Sequence, residues 1–117
     1  MALYRCMGAS GAGGAYTNTE FKHEAPITSG PNIVFDITPK VGDMIIAVGS
    51  SSSQPTWTPL SNVQVIGSQN HNGNTKNPFI VMIITEVHAT NPNNLSSYIT
   101  MTGGYSGCCD VFHCYNS

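Results

Sequence analysis

The chain has 117 residues and a mass of 12.4 kDa, which fits one domain by the usual prior of roughly 100–200 residues. Charged residues make up 9%, against about 25% in an ordinary soluble domain, while Ser, Thr and Asn together fill 34 positions and Gly another 12. A net charge of -2 supplies no basic field for nucleic acid, no apolar run approaches the roughly 20 residues that span a bilayer, and Gly8 to Gly14 interrupt any Lys/Arg-led signal sequence. The expectation is a protein that neither binds nucleic acid nor inserts in a membrane, is no coiled coil, and keeps its thiols reduced while it folds.

Residues 1–31 differ from the rest. They hold Gly8, Gly11, Gly13 and Gly14, the one concentration of charge (Glu20, Lys22, Glu24) and no helical periodicity. This reads as an extended Gly-rich N-terminal arm that orders against a partner, with short strands at Leu3–Cys6 and near Thr17–His23. Leu3, Tyr4, Tyr16 and Phe21 are its candidate assembly residues.

From residue 32 to 117 short strands alternate with turns. Ile33, Phe35 and Ile37 alternate with Val34, Asp36 and Thr38, as in a half-buried strand. Pro39 and Gly42 punctuate a turn. Met44–Val48 is apolar throughout and reads as a central strand covered on both faces. Ser50–Pro59 reads as a polar loop carrying Trp57. Val63, Val65 and Ile66 mark a further strand, and Asn72-Gly73 is a hairpin-turn signal inside the loop 70–77. Phe79–His88 is the most apolar stretch, and its β-branched residues favour a strand over a helix. Tyr98–Thr102 and Cys108–Tyr115 complete the set. Six or more strands with no convincing helix describe an all-β antiparallel sandwich or small barrel.

Chemistry is sparsely signalled. Cys6, Cys108, Cys109 and Cys114 lack paired zinc spacing, and Cys108 and Cys114 lie about 20 Å apart on one strand, too far to bridge. They read as small buried hydrophobes; a Cys6 bridge to the last strand, and a metal site helped by His88 and His113, stay open. His23, His71, His88 and His113 are scattered. Asp110 and His113 are three apart on one strand, so they point to opposite faces and form no dyad. No nucleophile elbow, phosphate loop or paired carboxylates appear, so no enzymatic activity and no cofactor are expected. A binding function has more material: Trp57, Asn72, Asn74 and Tyr105 are candidate glycan contacts on loops, each with a plainer reading as core aromatic or turn residue.

Five segments carry a resemblance: Val41-Gly42-Asp43 with Met44–Val48, Thr56-Trp57-Thr58, Phe79–Val87, Ser97-Tyr98-Ile99-Thr100, and Val111–Tyr115. Over residues 33–115 the chain resembles β-sandwich modules of bacteriophage tail-fibre, head-fibre and capsid-decoration proteins. Leu3-Tyr4-Arg5-Cys6 is similar to the starts of small tail-associated proteins. It departs from the module pattern at Thr56, at Ile99 and at the Cys108-Cys109 pair. The resemblance implies a jelly-roll-like sandwich without catalysis, located on a virion assembled in the host cytoplasm. Its implied partners are other copies of itself, preferably as a trimer, and other virion proteins. A carbohydrate- or receptor-binding module that touches a host-surface glycan is the alternative.

Overall fold

The computed structural model describes residues 16–24, 32–50, 56–69, 79–102 and 108–116. They form seven strands: β1 (Asn18–Glu24), β2 (Met44–Ser50), β3 (Thr56–Pro59), β4 (Val63–Gln69), β5 (Phe79–Ile84), β6 (Ile99–Thr102) and β7 (Cys108–Tyr115). Every ladder is antiparallel. One sheet has five strands in the order β1-β7-β2-β5-β4, and β3 pairs with β6 in a second sheet of two. The described residues contain no α-helix, only a 3-10 turn at Leu95–Ser97.

Alternation decides the faces. On β2, Ile45 and Ala47 are fully buried. They stand opposite Met82 and Ile80 of β5, and opposite His113 and Val111 of β7. Partners in an antiparallel ladder project to the same side, so these residues line one front face. The main core lies there, between the five-stranded sheet and β3–β6, which contributes Trp57, Ile99 and Met101. Leu95, Tyr98, Ile33 and Phe35 close it. Each large apolar side chain buried in this way contributes about 1.5–3 kcal/mol.

Two connections position the rest. The turn Lys40–Asp43 closes with Asp43 N–H donating to Lys40 C=O at 3.0 Å. Its Gly42 has φ 95°, a conformation that favours glycine. On the far side, the Tyr98 hydroxyl donates to the Pro92 carbonyl at 2.6 Å, and the Ser97 hydroxyl donates to the Asn91 carbonyl at 2.7 Å. Burial pushes the Tyr98 phenol above its usual range; its contact with the His88 N–H opposes that only in part.

Most expected strands are present, with four differences. The strand expected over Phe79–His88 ends at Ile84, after which the Thr85 and Glu86 N–H groups donate to the Asn62 carbonyl instead of to a ladder. Thr56–Pro59, expected within a loop, is a strand whose Trp57 faces inward. Ile33 and Phe35 are buried and Val34 exposed as the alternation expects, but Ile37, expected on the buried face, is 40% exposed, and the segment joins a single bridge, Val34 to Asn94. A ladder needs a continuous partner, and the Asn91–Asn94 turn offers only a few backbone groups. The strand expected near Thr17–His23 exists as β1. It is built into the main sheet through seven residue pairs with β7, so this part of the expected arm belongs to the sheet. The Asn72-Gly73 turn lies outside the described residues.

Candidate assembly surface

The back face of the five-stranded sheet follows from the same register. Three rows cross it from β1 to β4. The first is His23, Asp110, Val48, Phe79 and Gln69; the second is Phe21, Phe112, Ile46, Val81 and Gly67; the third is Thr19, Cys114, Met44, Ile83 and Gln64. The second row is apolar from end to end, and it is not sealed. Phe21 is 54% exposed, with its ring 4.9 Å from that of Phe112. Ile46 and Val81 are half-buried.

The two outer rows are finished differently. In the third row Met44 and Cys114 are buried beneath Tyr16, whose hydroxyl donates to the Gly42 carbonyl. The Thr19 hydroxyl donates to the Cys114 sulfur at 3.9 Å, so this thiol sits in a small packed cluster. The first row ends in polar groups, with His23 Nε2 3.5 Å from Asp110 Oδ1. The apolar centre is thus flanked by the row that Tyr16 covers on one side and by a row with a polar His23–Asp110 corner on the other. At the far edge, a register shift in β4 between Val65 and Gly67 leaves Ile66 as an extra, 48% exposed residue. Bulges of this kind are common on edge strands.

The front face at β1 is chemically different. His113 is fully buried, with its ring between Phe35 at 5.0 Å and Tyr115 at 5.1 Å. Its Nε2 lies 2.8 Å from Asp43 Oδ2. A carboxylate only accepts, so this nitrogen carries the proton and donates. Nδ1 lies 3.5 Å from Glu20 Oε2 without making a hydrogen bond. Glu20 accepts instead from the Asp36 N–H at 2.7 Å and the Ile37 N–H at 3.2 Å. Burial pushes the Glu20 carboxyl up, but those two N–H groups and Lys22 outweigh it and hold it below the usual range. Lys22 bridges Glu20 at 3.2 Å and Asp36 at 2.6 Å, and these contacts raise its ammonium above its usual value. The cluster fastens β1, the 33–38 segment and the β2 turn to β7. With His113 and Asp43 shut away from solvent, it is placed to hold the fold rather than to meet a substrate. Among the described residues, no group of three or more His, Cys, Asp or Glu side chains is arranged to hold a metal ion.

The candidate residues are distributed as follows. Tyr16 and Phe21 both lie on the back face, one buried and one exposed. Trp57 is 1% exposed, so its ring offers no stacking face to a sugar, and its Nε1 has no hydrogen-bond partner. Its packing reading is the one the geometry carries. Leu3, Tyr4, Asn72, Asn74, Tyr105 and Cys6 lie outside the described residues. Sequence reasoning missed Phe112, Ile46 and Val81 as surface residues, because an apolar strand residue carries no mark of which face is covered. It also missed an open groove of about 390 Å³ lined by Leu60, Asn62, Glu86 and His88 among others. Asn62 is held there by donating to the Ser97 carbonyl at 2.9 Å. No protein-family model, no curated protein and no solved structure matches this chain.

Proposed function

We propose that the protein is a non-enzymatic structural subunit that works as an assembly of copies, in a virion of the phage type its sequence resembles. In this reading the five-on-two arrangement is a reduced, jelly-roll-like sandwich, and the Gly-rich segment before Tyr16 is an anchoring arm. The observation that carries the reading is the apolar second row of the back face, ending in a 54% exposed Phe21. Contiguous apolar surface on a small domain marks an interaction site, because leaving it in water costs about 25 cal/mol per Å². The low charge of the chain suits close packing of identical neighbours, since like-charge repulsion between copies is small.

The test is the mass of the full chain by light scattering across a concentration series, beside a form lacking residues 1–15. That truncation keeps Tyr16 and β1, which the sheet needs. A species larger than 12.4 kDa supports assembly, and its loss on truncation assigns the contact to the arm. A monomer in both forms at every concentration refutes self-assembly.

The groove beside Asn62 favours a second reading, a carbohydrate- or receptor-binding module. The Glu86 carboxylate and His88 imidazole beside the apolar Leu60 and Val87 are the kinds of group that hydroxyl-rich ligands need. A glycan array with the wild type and Glu86→Ala, whose exposed carboxylate lines the groove, tests it: signal lost in the variant supports it, and a blank array refutes it.

A further inference from the structure

We propose that the groove beyond the end of β5 holds a neutral sugar ring by two adjacent hydroxyls, one donating to the Glu86 carboxylate and one accepting from the His88 Nε2–H. The inference rests on the carbohydrate reading above and names its ligand class.

The chain itself fixes which nitrogen of His88 carries the proton. The Asn91 N–H donates to Nδ1 at 3.0 Å and the Thr90 N–H at 3.3 Å. A nitrogen that accepts has no proton to give, so the neutral ring carries its proton on Nε2. Among the described residues, every side-chain hydrogen bond of His88 is made at Nδ1. That leaves the Nε2–H unanswered in a half-buried residue that lines the groove. Glu86 is the second group: its carboxylate is exposed in the same groove and only accepts.

The frame around both is tied down. The Leu60 N–H donates to the Tyr98 carbonyl at 2.9 Å, and the Thr85 and Glu86 N–H groups donate to the Asn62 carbonyl at 2.9 and 3.2 Å. The Asn62 side chain donates to the Ser97 carbonyl at 2.9 Å. Groups presented from a backbone already held in place cost less to order when a ligand arrives.

This donor and acceptor separate three ligand classes. An ammonium or guanidinium group only donates, so it leaves the His88 N–H without a partner. A phosphate, sulfate or carboxylate faces the like charge of Glu86, and among the described residues no Lys or Arg lines the groove to offset it. A hydroxyl both donates and accepts, so neighbouring hydroxyls of a sugar meet both groups at once. The C–H face of the ring then lies on Leu60, which is 39% exposed, and on Val87. A volume of about 390 Å³ is near the lower end of small-ligand sites, which suits a monosaccharide or disaccharide. A single ring in an open groove is expected to bind with a dissociation constant on the order of 1 mM.

The experiment is proton–nitrogen NMR of the full chain, which reads fold, tautomer and binding together. Above the usual titration range of imidazole, at about pH 8, His88 is expected to show a bare Nδ1 and a protonated Nε2; the opposite tautomer overturns the proposal. The methyl glycosides of mannose, galactose, glucose and fucose are titrated in turn, with N-acetylneuraminic acid as the acidic comparison. At least one neutral glycoside is expected to shift the amides of residues 86–89, and the acid is not. His88→Asn keeps an oxygen where Nδ1 accepts, so the turn survives, and removes the donor. It and Glu86→Ala are each expected to raise the dissociation constant roughly tenfold or more. Binding unchanged in His88→Asn, or a preference for the acidic sugar, overturns the proposal and leaves the carbohydrate reading standing. No shift with any neutral glycoside overturns the proposal, and a blank glycan array beside it overturns the reading as well. Should His88→Asn fail to fold, the wild-type tautomer and Glu86→Ala decide: a protonated Nε2 with weakened binding supports the proposal, and either one missing overturns it.

Discussion

Replacing Asp43 by Ala tests the buried polar cluster most directly. Asp43 accepts from His113 Nε2 at 2.8 Å and from the Lys40 N–H at 2.9 Å. The Lys40 N–H can turn to water, since Lys40 is exposed. The His113 N–H cannot, because its side chain has no exposure. A hydrogen bond to a charged group is worth about 1.5–3 kcal/mol, and stranding the buried donor adds roughly 1–3 kcal/mol. The expected loss is therefore about 2.5–6 kcal/mol. That is a large share of the roughly 5–15 kcal/mol that holds a domain together. Urea unfolding followed by Trp57 fluorescence measures it. With a slope of roughly 1.5 kcal/mol per M, the midpoint falls by about 2 M or more. Adding His113→Leu removes the stranded donor and should restore part of the loss, because an apolar side chain of similar size tolerates the site better than half a pair. A midpoint shift below about 0.5 M for Asp43→Ala, at unchanged slope, would refute the reasoning.

Four further outcomes follow from the same geometry. Trp57 emission should be blue-shifted and resist an aqueous quencher; Trp57→Ala should cost about 3–5 kcal/mol through the cavity it leaves, and emission at the water-exposed wavelength would contradict the buried placement. Glu20 has a folded value below its ordinary 4.5, so the stability it contributes is complete above that pH and is lost as pH falls below it; Glu20→Gln should flatten this acid limb in pH-dependent urea melts. Tyr98 has the opposite sense: its phenol is held up by burial, so its contribution is present at neutral pH and lost as pH rises past the ordinary 10.0, and Tyr98→Phe should cost about 1–2 kcal/mol by stranding the Pro92 carbonyl, read by the same melts at neutral pH. Gly42→Ala should cost about 1–2 kcal/mol because a Cβ is disfavoured at φ 95°, which thermal unfolding will show.

Several elements are written locally in the chain. The run Phe79–Ile84 and the apolar Met44–Val48 become neighbouring inner strands, since β-branched side chains fit a pleated surface wherever the sheet forms. Cys108–Tyr115 is a strand over its whole expected length. Alternation placed Asp110 and His113 on opposite faces, and the register agrees: Asp110 sits at the rim with His23, and His113 lies in the core. Such features depend on a period of two residues, which is visible in any window of the chain.

Other features depend on residues far apart. Asp43 and His113 are separated by 70 positions, and nothing near either one announces the other. Thr56–Pro59 is short and flanked by polar residues, so only its pairing with β6 makes it a strand and only the core on the other side buries its Trp57. Placing β7 between β1 and β2 likewise follows from long-range pairing. The same holds for the candidate site. A strand apolar on both sides reads as covered on both sides, and Met44–Val48 carries that pattern. The sequence by itself determined that β2 has two apolar faces. The tertiary structure decided that the two-stranded sheet covers the front, that Tyr16 caps one row of the back, and that the row from Phe21 to Gly67 stays open to solvent, because burial depends on which distant elements arrive to remove the water.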